Sequence, residues 1–369
     1  MQRRKFLQLA MAGGALSVLP LAGCGPKVSQ PQPLLLSGSD NGDQHTLCGW
    51  QLGQGERFRL PVAQRVHAPL MRPGSNEAVF VARRPGTLIY VVDVQEGIIK
   101  QQLSAPSDRH FYGHAIFSSD GRWLYVPENA YAEQGRGKIG VYDATAGFQR
   151  VQEFDLDGIG PHQLALMPDG FTLAIALGGI QTHPEHSRDK LNLDRMQSAL
   201  LYLDTRSGQV TARFKAPHQH LSLRHLDVAK DGTVMVGAQF QSSANPDESY
   251  TGPLVFIQRG KHGLQALQAS EEAWQAQQYY IASVVMNSSG TLAISTSPRG
   301  GVVNLWQVAE ARLLKQYRVK DVAGAGYLPA EGGFVVSNGL GQLFKVSDEL
   351  QLLEHAAATR WDNHLLVNV

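Results

Sequence analysis

Cysteine is nearly absent from this chain: 2 among 369 residues, Cys24 and Cys48. One of them has a separate role argued below, and a single remaining thiol excludes an internal disulfide framework and any Cys-x-x-Cys motif. Cys48, in Thr46-Leu47-Cys48-Gly49-Trp50, reads as a buried strand position, where a free cysteine behaves as a small hydrophobe. An excess of one charge is also missing. Lys and Arg number 33 against 32 Asp and Glu, and setting aside Arg3, Arg4 and Lys5 of the first 23 residues leaves 30 against 32. No later basic run exceeds Arg83-Arg84, so the chain lacks the electrostatic footprint of a nucleic-acid binder. Past residue 21 no apolar run is long enough to span a bilayer. Only residues 270–278 read as helical, which excludes a parallel α/β fold with its long helices between strands. Gly-x-Ser-x-Gly, His-Glu-x-x-His and P-loop motifs are missing as well. That removes local catalytic signatures but leaves open sites assembled from distant segments.

What is present begins at the N-terminus. Arg3-Arg4-Lys5-Phe6-Leu7 precedes an apolar stretch over residues 9–21, and Leu21-Ala22-Gly23-Cys24 closes it. These are the marks of a twin-arginine export signal. The stretch is too short to cross a bilayer, and Gly13, Gly14, Pro20 and Gly23 weaken it as a helix. Its last four residues resemble a bacterial lipobox, in which the cysteine is acylated and becomes the mature N-terminus. The expected organisation is a signal peptide over 1–23, a proline-bearing tether over 24–33 and a folded domain over 34–369. Localisation follows: periplasmic, with membrane contact through a lipid on Cys24 alone, or a simply cleaved soluble form. At about 3.1 Å per residue the tether would reach roughly 30 Å.

Beyond the tether the sequence repeats. Gly113-His114 opens a strand that turns at Asp120-Gly121, Pro161-His162 opens one that turns at Asp169-Gly170, and Arg224-His225 opens one that turns at Asp231-Gly232. Strand, Asp-Gly turn, strand is a β-hairpin signature. Weaker copies start at His67, Ser283 and Gly324, with turns at Gly74, Gly290 and Gly332, and His364 starts a lone strand that ends the chain. Two further strands follow each hairpin, as at 140–143 with 149–154 and 303–306 with 313–317. Four strands per repeat, roughly 40–60 residues apart, is the pattern of a propeller blade. The expected fold is therefore all-β: a seven-bladed β-propeller of four-stranded antiparallel blades. The last blade should be closed by the C-terminal strand with three strands from 34–37, 46–52 and 57–60.

The phase of the repeat gathers histidine. The face where inner strands begin and second strands end collects His67, His110, His114, His162, His218, His220, His225 and His364, and the loop over 178–198 adds His183 and His186. That is ten of the 13 histidines. Second-strand exits add Arg83, Arg84, Glu128, Asn129, Gln239, Gln241, Ser297, Arg299 and Asn338. Imidazoles with a carboxylate suit Fe, Cu, Zn or Ni, and also acid/base work near neutral pH. The expected metal ligands are His114, His162, His183, His220 and His225, in a lopsided cluster over blades 2 to 4. His67, Glu128, Asn129, Arg299 and His364 are the expected ligand-binding residues of the channel mouth. With ordinary imidazole pKa values, metal binding would weaken steeply below about pH 6. The competing reading is structural, since a Gly-His at the start of an inner strand resembles the hydrogen-bonding histidine of WD-repeat blades.

At these residues the chain resembles a family of exported bacterial propellers, domain-of-unknown-function family 1513. The resemblance is carried by Gly113-His114, Ser119-Asp120-Gly121, Glu128-Asn129, Gly158-Ile159-Gly160-Pro161-His162 and Gly178-Gly179-Ile180-Gln181-Thr182-His183. Lys190-Leu191-Asn192-Leu193-Asp194, Leu221-Ser222-Leu223-Arg224-His225, Thr296-Ser297-Pro298-Arg299 and Trp361-Asp362-Asn363-His364 extend it over nearly all of 34–369. Genes of the family tend to lie beside imelysin-type periplasmic iron-uptake proteins and haem peroxidase-like proteins. The resemblance thus implies such partners, and a role in periplasmic iron or copper handling with Fe or Cu as the metal. An enzyme of lactonase or quinoprotein-like type, using Glu128 and the histidines, is the alternative. A non-catalytic docking platform is a third reading.

Overall fold

The Asp-Gly pairs build the hairpins by one local device. Asp120, Asp169 and Asp231 each accept a hydrogen bond on Oδ1 from the backbone N–H two residues on, at 3.0, 3.0 and 2.8 Å. The following Gly121, Gly170 and Gly232 take left-handed φ values of 69°, 80° and 84°, which a side chain would resist. Each hairpin extends to a four-stranded antiparallel sheet, and in the computed structural model seven such sheets form a β-propeller. The structure describes residues 32–186, 189–241 and 250–368. The signal peptide, Cys24 and most of the expected tether lie outside them.

We number the blades from the first complete one in the chain. The inner strands of blades 1 and 3 to 6 are Val66–Met71, Pro161–Leu166, Leu221–Val228, Ser283–Met286 and Val322–Leu328. Blade 2 has a broken inner strand, Arg109–Phe111 and Ile116–Phe117, with His114 in the break. Blade 7 is shared between the chain ends: Trp361–Asn368 pairs antiparallel with Leu34–Asp40, in the register Leu35↔Val367 and Leu36↔Leu366. His45–Gln51 and Gly55–Val62 complete it. The seven starts legible in the sequence thus fall on the seven inner strands, or in the break of one.

Blades adhere face to face. Leu36 and Leu47 of blade 7 pack in one buried cluster with Phe80 and Tyr90 of blade 1. Val79 and Val81 of blade 1 meet Leu124 and Val126 of blade 2. Burying an aliphatic side chain of this size contributes about 1.5–3 kcal/mol, so the ring is held by many repeated apolar seams. Ring closure adds an ionic lock: Arg65 lies 2.6 Å from Asp362 and 2.9 Å from Asp40. The short helix Glu271–Gln275 is capped by Ser270, whose Oγ accepts from Ala273 N. Among the described residues no helix is long and apolar enough to cross a membrane.

Candidate metal centre and its vestibule

Four inner strands, and the break in a fifth, bring an imidazole each to one cluster. His67, His114, His162, His225 and His364 come from blades 1, 2, 3, 4 and 7. Adjacent ring centroids lie 4.9 Å (His67–His114), 5.1 Å (His114–His162), 4.8 Å (His162–His225), 4.8 Å (His225–His364) and 4.5 Å (His364–His67) apart. Blades 5 and 6 offer Ser283 and Gly324 at this level. A Cβ on Gly324 would lie 3.0 Å from Leu365 Cβ and press on Ser337 Oγ, so blade 6 has no room for a sixth ligand. Gly113, at φ 100°, is required as well, because a Cβ there would sit 2.6 Å from His67 Cβ.

These imidazoles are held neutral. Burial pushes His67, His114, His162 and His225 well below the ordinary pKa of 6.5, and neighbouring histidines or arginines push the same way. His364 falls to about 3, through burial and then Arg83. A neutral imidazole has one donor and one acceptor nitrogen. The buried Nε2 of all five, and Nδ1 of His67 too, have no hydrogen-bond partner.

Two outer contacts show which nitrogen is the acceptor. Gln163 Nε2 donates to Leu226 O at 3.0 Å, and its Oε1 accepts from Leu226 N at 3.3 Å, so the amide cannot flip. Its Oε1 then accepts the Nδ1–H of His225 at 3.2 Å, and the Nε2 lone pair is left facing the cluster. On the other side Ser283 Oγ lies 3.3 Å from both Asn363 O and His364 Nδ1, so when its hydroxyl donates to that carbonyl it accepts from His364 Nδ1–H. Orienting a ligand imidazole through its second nitrogen is how protein metal sites are set up. Two triads, His67–His114–His364 and His114–His162–His225, have ligand atoms all within 4.8 Å of one another. With metal–nitrogen bonds of about 2.0–2.1 Å, either triad can hold a metal ion after a small adjustment.

Above the cluster, with His67 and His162 in its wall, opens a cavity of about 570 Å³. Its other charged walls are Arg83, Arg84, Lys190, Arg224 and Arg299; among the described lining residues there is no carboxylate. Gln239, Gln241, Tyr112, Tyr280 and Asn363 supply polar edges. Burial, then Arg224 and Arg299, lower the Lys190 pKa, and burial draws Arg224 down to about 10.

The structure distributes the expected site residues over several places. His114, His162 and His225 meet in the cluster, joined by His67 and His364, and Arg299 lines the cavity. His183 and His220 do not belong to either triad. His183 packs on Tyr131 at 5.3 Å and on His186 at 5.7 Å, and His220 on His218 at 5.7 Å. Glu128 is fully buried inside blade 2, where Arg150 Nη2 and the Tyr142 hydroxyl donate to it at 2.8 and 2.9 Å. Two charge-assisted or neutral donors and no opening onto the cavity make it an internal counter-ion. Asn129 Nδ2 donates to His110 Nε2 at 2.6 Å and to Thr182 O at 3.2 Å. That pair joins the first segment of the broken inner strand to the second strand of blade 2, and burial lowers His110 to about 4. Lys190, Arg224 and Gln163 were not among the expected site residues. The signal was available for all three, since each lies in or next to a His-bearing or Asn-bearing run of the repeat.

A family model described as "protein of unknown function (DUF1513)" matches residues 60–368. Among solved structures, the chain is similar to hydrazine synthase of Kuenenia stuttgartiensis, at 16% identity and a TM-score of 0.60. The match covers 91% of this chain and 99% of that one, and at this identity it speaks for the fold alone. No curated protein matches.

Proposed function

The chain belongs to that family of proteins of unknown function, and we propose that it is an exported periplasmic propeller that holds a transition-metal ion or complex in its five-histidine cluster. One observation carries the reading: five imidazoles converge, those of His67, His114 and His225 buried and those of His162 and His364 half-buried, with the Nε2 atom of every one buried and unpartnered. A buried acceptor without a donor costs about 1–3 kcal/mol, and a metal ion relieves several at once. Neutral imidazole is a borderline donor that suits Cu, Fe, Zn and Ni. The cluster contains no anionic ligand, so the bound ion would keep its full charge.

Export through Arg3-Arg4, anchoring through Cys24, and work beside imelysin-type or haem peroxidase-like iron-uptake proteins complete the proposal. They are supported by the leader sequence and the family resemblance. Iron or copper handling is the role this setting favours. The enzyme reading loses support from Glu128, whose carboxylate is engaged by Arg150 and Tyr142.

The test is metal analysis of protein prepared from the periplasm, followed by calorimetric titration of Fe(II), Cu(II) and Zn(II). The His114→Ala/His162→Ala/His225→Ala triple variant should lose at least a hundredfold in affinity for the metal that wild type binds. Equal affinity in both, or none in either, would leave the histidines structural and move the role to partner docking. Loss of export in an Arg3→Lys/Arg4→Lys pair, and an acylated Cys24 in the mature protein, are the matching expectations for the leader.

A further inference from the structure

We propose that the cavity over the histidine cluster is a binding site for a small organic anion carrying two or more carboxylate or phosphate groups. The inference goes beyond metal binding and does not depend on it.

Three observations carry it. First, five cationic side chains from four blades line one recess: Arg83 and Arg84 after the second strand of blade 1, Lys190 in the long blade-3 loop, Arg224 on blade 4 and Arg299 on blade 5. Like charges gathered in a recess repel, and a fold keeps them there only where something of opposite sign offsets the repulsion. Second, three of the five are without an ionic partner. Among the described residues no carboxylate lines the cavity, and Lys190, Arg224 and Arg299 form no ion pair. This contrasts with blade 2, where Arg109, Lys138 and Arg150 are each matched by Glu or Asp. Third, a donor is already buried and unused: Arg224 Nε has no hydrogen-bond partner.

Size and chemistry then narrow the ligand. A cavity of about 570 Å³ lies within the range of small-molecule sites, about 300–1,000 Å³. Guanidinium groups match carboxylate and phosphate oxygens in bidentate fashion, so a ligand with several such groups engages several arginines together. Gln239, Gln241 and Asn363 can read hydroxyl or amide groups on the same molecule. Because the cavity opens onto His67 and His162, an anion seated there would face the cluster. It would supply the negative charge that five neutral imidazoles do not. A metal arriving as an anionic chelate would be recognised by both halves of the site.

The experiment uses metal-stripped full-length mature protein and calorimetry with citrate, pyrophosphate and, as a single-charge control, acetate. Citrate or pyrophosphate should bind at least a hundredfold more tightly than acetate, with the stronger of the two assigning carboxylate or phosphate chemistry. A Lys190→Gln/Arg299→Gln pair and, separately, Arg224→Gln should each weaken the preferred anion at least tenfold. All should melt at or above the wild-type temperature, since each removes like-charge repulsion. A His114→Ala/His225→Ala pair removes two cluster imidazoles that do not line the cavity and keeps the five cations, so anion binding by it shows the anion site standing even if metal binding fails. Affinity no better than for acetate, or unchanged in both folded cation variants, would overturn the proposal.

Discussion

Gln163 Oε1 sits 3.2 Å from His225 Nδ1, and Leu226 holds that amide from both its N–H and its C=O. A side chain of blade 3 therefore sets the tautomer of a histidine on blade 4. Substituting Gln163→Leu keeps the volume but removes the acceptor. Metal affinity should fall about 10- to 100-fold, the usual loss when an outer-shell partner of a ligand histidine is removed. Calorimetry on wild type and variant, both shown to be folded, checks it; an unchanged affinity would mean that His225 is not a ligand.

Acid should reach the cluster late. In the unfolded chain these histidines titrate near 6.5, whereas in the fold they lie well below that, His364 at about 3. Below pH 6.5 the unfolded state thus binds more protons, and stability falls as pH drops from about 6.5 towards about 3. The slope is at most about 1.4 kcal/mol per pH unit for each histidine. The melting temperature of metal-free protein should decline between pH 6.5 and 5, and less steeply in a His364→Asn variant. Metal retention should extend below the pH 6 expected from ordinary imidazoles, because little proton competition remains there. Release of bound metal with a midpoint near pH 6 would contradict this.

Glu128 offers a test of catalysis against structure. Replacing Glu128→Gln removes the negative charge paired with Arg150 and leaves one acceptor oxygen where Arg150 and the Tyr142 hydroxyl each had their own. Breaking a buried pair costs about 3–5 kcal/mol, and the partial exposure of Arg150 puts the expected loss near the lower figure. Metal and citrate affinities of the folded variant should stay within twofold of wild type. A large drop in either, with stability intact, would return Glu128 to the site.

Closure of the ring is open to a single substitution. Arg65→Met removes the partner of Asp362, whose side chain is only 1% exposed. Denaturant unfolding should show a loss of about 3–5 kcal/mol. Deleting residues 362–369 should abolish cooperative unfolding, because it strips blade 7 of its inner strand and exposes the edge of Leu34–Asp40. A truncated chain that melts like wild type would refute the shared blade.

The repeat was legible because it is local chemistry. Asp-Gly turns at 120, 169 and 231 and alternating strands follow from nearest-neighbour sterics and hydrogen bonds, so phase, blade count and the seven inner-strand starts can be read along the chain. The family resemblance rests on the same runs. Which polar residues share a site is different in kind. Glu128 and His114 are 14 positions apart and both polar, yet the pleat sends Glu128 into a seam with Arg150 while the break in blade 2 turns His114 onto the axis. His364 and His67 lie at opposite ends of the folded domain, and only ring closure brings their rings to 4.5 Å. The sequence by itself determined a seven-fold array of hairpins with histidine at one phase of it. Tertiary structure alone decided which five imidazoles converge and which cations stand over them, because convergence on an axis depends on the three-dimensional turn of each blade and on no interval along the chain.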